Sequence, residues 1–288
     1  MAWIRIAVLS IIWGSSFILM KRGIFDADGT TLFNGFEVAA IRIASAFLVL
    51  LPIILRHIRS IPKNKLWLIL VSGFVGNGLP ALFFAIAQTK IDSSLSGVLN
   101  GLTPIFTAII GIMWFGNKLN KKVLLGVSLG LLGSAILVLS AKGLSIEGMA
   151  YSILVVLCTL MYGINVNLIK SKLNEIAPLK IASVSFLATG LIALTSLLFS
   201  PNLPKVANSP TYLNGLGYLI VLGVVGTAFA VIMFNKLIKD TTAVFASSVT
   251  YFIPIIAIIW GVLDGESFGL LQIVGAIVII SGVKLIKS

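Results

Sequence analysis

The chain has 288 residues, of which 58% are hydrophobic and only 10% are charged, and its mean hydropathy is +1.11. Soluble globular domains average about 45–50% apolar and about 25% charged residues, so this composition excludes a soluble domain and a disordered chain. The net charge of +12 does not indicate nucleic-acid binding, because the basic residues fall between long apolar runs, as they do in membrane proteins.

Basic residues, glycines, prolines and polar clusters divide the chain into ten apolar stretches of about 20 residues, the length at which a helix crosses the hydrocarbon core of a bilayer. The stretches are Trp3–Met20, Phe36–Leu55, Leu66–Gln88, Ser94–Phe115, Val123–Ala141, Gly148–Ile169, Leu179–Phe199, Leu216–Phe234, Ala243–Leu263 and Phe268–Leu285. The first stretch is followed at once by Lys21 and Arg22 and has no small-residue cleavage site, so we expect a retained span. The sequence therefore predicts an all-α integral membrane protein with ten transmembrane helices.

The distribution of lysine and arginine predicts the orientation of these spans. If the N-terminus is cytoplasmic, fifteen basic residues fall on cytoplasmic segments and five on the opposite side. Cytoplasmic loops carry this excess in membrane proteins, and an odd number of spans would abolish it. We therefore expect a multi-pass protein of the cell (inner, cytoplasmic) membrane, in contact with the lipid bilayer, with both termini in the cytoplasm.

The chain reads as two copies of one unit, displaced by 149 or 150 residues. The matching pairs include Gly14 with Gly163, Gly73 with Gly223, Gly76 with Gly226, Pro104 with Pro254, and Gly126 with Gly275. Residues 1–142 and 143–288 would each carry five spans, and an odd number makes the second copy enter the membrane from the opposite side. Such inverted repeats are typical of transporters that work by alternating access; the alternative is a duplication that only builds a pseudo-symmetric scaffold.

The fourth and ninth spans carry polar residues on one helical face, in register with a proline. Gly97, Asn100, Gly101 and Pro104 lie at i, i+3, i+4 and i+7, and the matching set is Ser247, Thr250, Tyr251 and Pro254. Each proline frees the carbonyl four residues earlier, and a free carbonyl is tolerated in hydrocarbon only where protein or a watery cavity satisfies it. We therefore interpret this face as lining a cavity, with the two prolines as hinges; the alternative is a kinked packing helix.

Other spans contribute further polar and aromatic side chains, for which packing is an equally good explanation. Trp13 in the first span and Tyr162 in the sixth occupy matching positions, and an indole or phenol within the membrane needs a hydrogen-bond partner. An asparagine near the middle of a span is costly unless it is bonded or hydrated. The predicted substrate cavity is lined by Trp13, Asn77, Asn100, Thr103, Tyr162, Asn165, Thr250 and Tyr251.

Arg42 is the one charged residue deep in a predicted span. All nine acidic residues fall near span ends or in loops. It could contact an anionic substrate, pair with Glu37, or extend toward lipid headgroups. Since no carboxylate lies at mid-span, we predict a weakly coupled facilitator or exchanger. The neutral amides, hydroxyls and aromatics suit neutral or zwitterionic solutes, and Arg42, if it reaches the cavity, favours a carboxylate. Glu37, Asp264 and Glu266 remain alternative proton carriers.

The fifth and tenth spans differ from the others in having glycines and almost no central polar groups. Their small residues are Gly126, Gly130, Gly133, Gly275 and Gly282. This spacing permits close helix packing, so we interpret these spans as peripheral supports and a candidate dimer contact. The sequence leaves open whether the protein is a monomer or a homodimer.

No sequence motif points to catalysis, a cofactor or a metal. A single cysteine, Cys158, cannot form an internal disulfide framework, and a single histidine, His57, does not support a histidine metal cluster. Phosphate-binding glycine loops and nucleophile–base pairs are absent from the sequence. An integral-membrane enzyme and a receptor are therefore the weaker alternatives to a transporter, and we expect no cofactor, no metal and no nucleic-acid partner.

Several motifs together resemble the drug/metabolite transporter superfamily, in its EamA-type ten-span branch. They are LSIIWGSSFILMKRG from Leu9, RIASAFLVLLP from Arg42, LNGLTPIFTAIIGIMWFGNKL with GVSLGLLG from Leu99, and SSVTYFIPIIAIIWGVLDGESFGLLQIVGAIVIISG from Ser247. The resemblance covers nearly the whole chain in two copies. One departure is Gly116-Asn117, where the family often has Gly-Glu and the second copy has Gly265-Glu266.

The resemblance implies transport of metabolites, amino acids or drugs, often outward, through a central cavity between two helical bundles. The expected function is a secondary transporter that exports small metabolites such as amino acids or related compounds. Uptake or exchange is the alternative, because alternating access is reversible and the gradients decide the direction.

Overall fold

The computed structural model describes residues 1–117, 121–140, 146–263 and 269–287. Every regular element in these ranges is helical, and one isolated antiparallel bridge joins Phe25 to Thr31. The predicted boundary between the two copies, at residue 142, and the predicted proton carriers Asp264 and Glu266 lie outside the described residues.

The helices follow the predicted stretches but several are broken. In the first half they are α1 (Ala2–Ile24), α2 (Gly35–His57), α3 (Lys63–Gly73), α4 (Leu79–Ala87), α5 (Ser93–Asn100), α6 (Thr103–Phe115) and α7 (Lys121–Ser140). In the second half they are α8 (Ile146–Lys172), α9 (Pro178–Val184), α10 (Phe186–Leu197), α11 (Pro210–Gly223), α12 (Ala230–Asp240), α13 (Ala243–Ser247), α14 (Ile253–Leu263) and α15 (Leu270–Lys287). Short 3₁₀ turns follow α2 and precede α11, at Ile58–Ser60 and Leu203–Asn208.

Within the described residues, six helical segments are long and apolar enough to cross a membrane. They are Ala2–Ile24, Gly35–Ser60, Lys63–Ala87, Ala150–Lys172, Pro178–Leu197 and Pro210–Asp240. Large apolar side chains lie exposed on the outside of the bundle, among them Leu48, Trp67, Ile109, Trp114, Leu191 and Ile192. An exposed apolar surface of this kind is what hydrocarbon solvates.

Two of the long segments contain a π-helical turn at matching positions. Phe74–Gly78 joins α3 to α4, and Val224–Phe229 joins α11 to α12. A π turn holds an extra residue per turn and is found frequently at functional sites. Gly76 and Gly226, which are 150 residues apart in sequence, lie in these two turns.

The two predicted hinge prolines begin new helices instead of bending continuous ones. The stretch predicted as the fourth span is divided between α5 and α6, and Pro104 is the second residue of α6. The stretch predicted as the ninth span passes from α13 through a 3₁₀ turn, Ser248–Tyr251, into α14, where Pro254 is the second residue. Proline is favoured in the first turn of a helix, because the N–H that it lacks would have no partner there.

The hydrophobic interior joins both halves of the chain. α1 packs against α11 and α14, α2 against α10, and α6 against α8. α7 packs along α15, as far as both are described, and this contact depends on glycine. A Cβ atom on Gly282 would lie 2.5 Å from the carbonyl oxygen of Gly126 and 2.8 Å from the nitrogen of Gly130.

Candidate functional site

A cavity of about 80 Å³ lies inside the bundle. Its walls come from α1, α2, α4, α5, α6, α8 and α12, together with both π turns and the 3₁₀ turn at Ser248–Tyr251. The lining residues are Trp13, Ser16, Phe17, Met20, Arg42, Gly76, Asn77, Phe84, Asn100, Thr103, Tyr162, Asn165, Val166, Gly226, Thr227, Val231, Phe234, Asn235 and Thr250. Of the described residues that line it, Arg42 alone is charged.

The structure brings together seven of the eight predicted cavity residues, and Arg42 with them. The seven are Trp13, Asn77, Asn100, Thr103, Tyr162, Asn165 and Thr250. Two residues outside the predicted set, Asn235 and Thr227, also line the cavity and are 3% and 2% exposed. Because Asn235 directly precedes Lys236, the sequence predicts that the span ends at Phe234. In the structure the helix continues to Asp240, so Asn235 lies within it.

Tyr251 does not line the cavity, which corrects the expectation from the sequence. Its side chain is fully buried and points to the fifth span, where a Cβ on Gly130 would lie 2.4 Å from the Tyr251 hydroxyl oxygen. The 3₁₀ turn at Ser248–Tyr251 has three residues per turn, so residues 250 and 251 point in more divergent directions than in an α-helix. Thr250 faces the cavity, and Tyr251 faces α7.

The π turns allow close contacts that form two walls of the cavity. A Cβ on Gly76 would lie 2.1 Å from Asn165 Nδ2, and a Cβ on Gly226 would lie 2.9 Å from Ser16 Oγ. The indole Nε1 of Trp13 donates to the carbonyl oxygen of Gly226 at 3.1 Å. The glycines therefore let side chains of α1 and α8 reach the backbone of the opposite half.

Most of the asparagines in the cavity are held by hydroxyl groups. Ser72 Oγ donates to Asn165 Oδ1 at 2.6 Å. Thr103 Oγ1 donates to the carbonyl oxygen of Asn100 at 2.8 Å, with Asn100 Oδ1 at 3.3 Å. The carbonyl that Pro104 releases is thus capped by a neighbouring hydroxyl. The amide oxygens of both asparagines accept hydrogen bonds, whereas their NH₂ groups have no partner among the described residues.

Arg42 reaches the cavity because α2 and α11 approach closely. A Cβ on Gly223 would lie 2.6 Å from the carbonyl oxygen of Arg42. Arg42 Nε donates to Thr227 Oγ1 at 2.7 Å, and that hydroxyl donates to the carbonyl oxygen of Leu222 at 3.1 Å. The side chain is therefore directed into the bundle and not toward lipid headgroups.

Glu37 does not pair with Arg42. Its carboxylate accepts from the backbone N–H of Asn34 at 2.9 Å and completes a capping box at the start of α2. It also accepts from Ser200 Oγ, from the Asn202 backbone N–H at 3.0 Å and from Asn202 Nδ2 at 2.8 Å. Four donors hold this acid at the end of the bundle.

Two groups of aromatic rings in mutual contact line the cavity. Trp13 meets Phe234 edge to face, with centroids 5.0 Å apart. Phe84 stacks on Tyr162 at 6.3 Å and meets Phe17 edge to face at 5.8 Å. These rings give the cavity an apolar lining beside its amides.

Polar contacts join the two halves at the end of the bundle where Met1 lies. Arg5 forms an ion pair with Asp240, and Lys65 forms one with Glu175 at 2.8 Å. Within the second half, Lys170 Nζ donates to the carbonyl oxygen of Lys239 at 3.0 Å, and a cation there interacts favourably with the negative end of the α12 dipole. The two ion pairs therefore join the two halves of the chain at this end of the bundle.

The described residues contain no group of three or more His, Cys, Asp and Glu side chains that could hold a metal ion. Cys158 is buried, and its Sγ lies 3.6 Å from the carbonyl oxygen of Pro80. This cysteine packs as a small core residue.

Long apolar helices around an internal cavity place the chain in the class of helical integral membrane proteins. The chain belongs to the EamA-like transporter family, whose sequence model matches residues 1–139 and again residues 149–288. The protein is therefore a multi-pass membrane protein of a transporter family.

Relatives with similar sequences span the whole chain. An "Uncharacterized transporter" of Archaeoglobus fulgidus is 23% identical over 286 residues, covering 99% of this chain and 98% of its own. The "Uncharacterized inner membrane transporter YedA" of Escherichia coli K12 is 23% identical, covering 96% and 88%. The "Uncharacterized transporter YoaV" of Bacillus subtilis is 26% identical, covering 96% and 92%.

A crystal structure shares the fold, with a TM-score of 0.72 over 99% of this chain and 95% of the other. The two sequences are 16% identical, so this similarity concerns the fold alone.

Proposed function

We propose that the protein is a secondary transporter that exports small metabolites, such as amino acids or related compounds, by alternating access. The observation that carries the proposal is the internal cavity, which combines an apolar lining with buried amides, hydroxyls and one guanidinium. Both halves of the chain contribute side chains to it, while the surrounding helices expose apolar surface. Burying several amides and a guanidinium in the membrane is costly, and a solute that pairs with them explains their presence.

The proposed architecture has ten spans in two inverted five-helix repeats, residues 1–142 and 143–288. The six long apolar segments supply six spans. The remaining four are α5–α6, α7, α13–α14 and α15. Two relationships support the repeat. The π turns recur 150 residues apart. The contact of α6 with α8 also has a counterpart in the contact of α14 with α1, since α14 corresponds to α6 and α1 corresponds to α8 in the proposed repeat. Rocking of one repeat against the other would expose the cavity first to one side and then to the other.

Both termini are proposed to be cytoplasmic, in the inner membrane, on the charge distribution described above. A cysteine at Asn64, on the Met1 end, should react with an impermeant maleimide only from the cytoplasmic side. A cysteine at Asp28, in the exposed turn after α1, is the control and should react only from outside. Both are placed in a Cys158→Ala background, and reversed labelling would contradict this orientation.

Transport is tested with purified protein in liposomes and a panel of labelled small metabolites, with and without a proton gradient. We expect saturable movement of at least one solute, without a fixed ratio of protons to solute. Proton movement locked to the solute, and abolished by neutralising Glu37, Asp264 or Glu266, would contradict weak coupling. Failure to move any small metabolite would contradict the proposed function.

Direction is the second part of the test. Outward transport is the proposal, and uptake or exchange is its alternative, because a carrier works both ways and the gradient sets the net flow. Equal rates from both faces of oriented vesicles would favour an exchanger.

A further inference from the structure

We propose that Arg42 binds a single carboxylate group of the transported solute, so that the protein selects small organic acids over their neutral analogues. This inference rests on the proposed transport function and names the chemical class of its substrate. It starts from a guanidinium that lines the cavity without a countercharge among the described lining residues.

The position of Arg42 makes the missing countercharge costly. Arg42 is the eighth residue of α2, which places it about 10 Å along the helix axis from Gly35. The one hydrogen bond that its side chain makes with the described residues goes to the neutral hydroxyl of Thr227. An unpaired charge removed from water costs several kcal/mol, and an anionic ligand would offset that cost when it binds.

The Arg42–Thr227 contact also decides which edge of the guanidinium remains free. Nε is occupied by Thr227, and the proton of Thr227 is directed to the Leu222 carbonyl. The two terminal nitrogens, Nη1 and Nη2, are left to donate in parallel. Two parallel N–H groups match the two oxygens of one carboxylate.

The rest of the cavity favours one negative charge rather than two. A phosphate dianion would need a second cation, and Arg42 is the one cation among the described lining residues. The NH₂ groups of Asn100 and Asn165 lack partners among the described residues, so they can donate to a hydroxyl or carbonyl of the ligand. Trp13 and Tyr162 would pack against a short apolar tail.

The volume of the cavity sets the size of the first probes. About 80 Å³ holds about five water molecules, at roughly 15 Å³ each, so a solute of about six heavy atoms is a suitable start. Lactate, lactamide and L-alanine have nearly the same shape and carry an anion, no charge and a zwitterion respectively. Pairs of longer acids and amides, 4-methylvalerate with its amide and benzoate with benzamide, extend the series.

The experiment measures equilibrium binding of labelled lactate to purified full-length protein in lipid nanodiscs, with lactamide, L-alanine and sodium chloride as competitors. We expect at least one acid of the series to bind about tenfold or more tightly than its amide, since the amide lacks the charge-assisted pair. If no acid binds better than its amide, the proposal is overturned. Competition by chloride alone, without preference for any carboxylate, also overturns it.

Variants assign the preference to Arg42. Arg42→Gln should lose the acid-over-amide preference, Arg42→Lys should keep part of it, and the exposed control Arg59→Gln should leave it within about twofold. A preference unchanged in Arg42→Gln would overturn the assignment. If neither Arg42 variant folds, Thr227→Val keeps the charge but removes its orienting acceptor, and it should reduce the preference.

Binding in nanodiscs does not require transport, so the two proposals fail separately. Acid preference without flux in liposomes would overturn the transport proposal and leave the binding site standing. Flux of neutral amides at the same rate as their acids would overturn the role of Arg42 and leave transport standing.

Discussion

Asp240, the last residue of α12, forms an ion pair with Arg5 in the first turn of α1. The two residues are 235 positions apart in sequence, and their contact joins the two halves of the chain at the Met1 end. On the proposed alternating-access mechanism this end opens for a solute to reach the cavity from that side, so the ion pair would belong to the closed form.

Breaking this ion pair should make the Met1 end open more often. Asp240→Asn removes a partly exposed pair worth about 0.2–1 kcal/mol, so we expect labelling of a cavity cysteine at Val166 to become about 1.5- to fivefold faster. The measurement uses a Cys158→Ala background and an impermeant maleimide added from the Met1 side. The control, Asp28→Asn, changes an exposed acid in the loop at the other end of α1, and equal labelling rates in both variants would exclude a gating role for the pair.

Gly76 should tolerate no side chain, although it lies in the middle of a helical segment. Gly76→Ala places a Cβ 2.1 Å from Asn165 Nδ2, which must move and weaken the Ser72–Asn165 hydrogen bond. We expect a loss of about 1–3 kcal/mol in unfolding free energy, with a several-fold loss of solute binding.

Gly217→Ala is the matched control for Gly76→Ala. A Cβ there meets no atom within 4 Å, and helix propensity favours alanine over glycine by up to about 1 kcal/mol. Thermal unfolding in detergent compares the two variants. Equal melting temperatures would show that the Gly76 turn relaxes without cost.

Glu37 should contribute to stability rather than to transport. Glu37→Gln replaces a carboxylate oxygen that faces N–H and O–H donors with an NH₂ group, and hydrogen bonds to charged groups contribute about 1.5–3 kcal/mol. We expect a clearly lower melting temperature with binding retained at temperatures where the protein is folded. Glu175→Gln is the control, because that side chain is 66% exposed and its ion pair contributes at most about 1 kcal/mol. A larger effect at Glu175 would contradict this assignment.

Pro104 and Pro254 should influence the rate of transport more than folding. Alanine at either position supplies the N–H that proline lacks, so α5 can join α6, or the 3₁₀ turn can join α14, into a more continuous helix. We expect slower flux of a labelled solute in liposomes and an unchanged melting temperature. Pro210→Ala, at the exposed start of α11, is the control. Transport at the wild-type rate in both Pro104→Ala and Pro254→Ala would show that the two prolines do not contribute to the transport mechanism.

Much of the cavity could be predicted because mid-span amides and hydroxyls are rare enough to stand out. Asn77 is predicted from the cost of an amide at mid-span, and Asn100 from its place on the same helical face as Pro104; both line the cavity. Tyr251 was assigned to the wrong face because the prediction assumed α-helical spacing where a 3₁₀ turn is present. Asn235 was missed because α12 extends beyond the apolar stretch.

The helical class and the transporter family can be predicted from the chain, because long apolar runs, basic loops and recurrent glycines are local features. Which polar groups meet depends on how the helices pack. Arg42 and Thr227 are 185 residues apart, and nothing in the intervening sequence specifies their contact. In a membrane protein the lipid-facing and core-facing sides of a helix are both apolar, so hydropathy does not distinguish the inward face. The closeness of α2 to α11 at Gly223, and not any periodicity, turned the guanidinium of Arg42 toward the cavity.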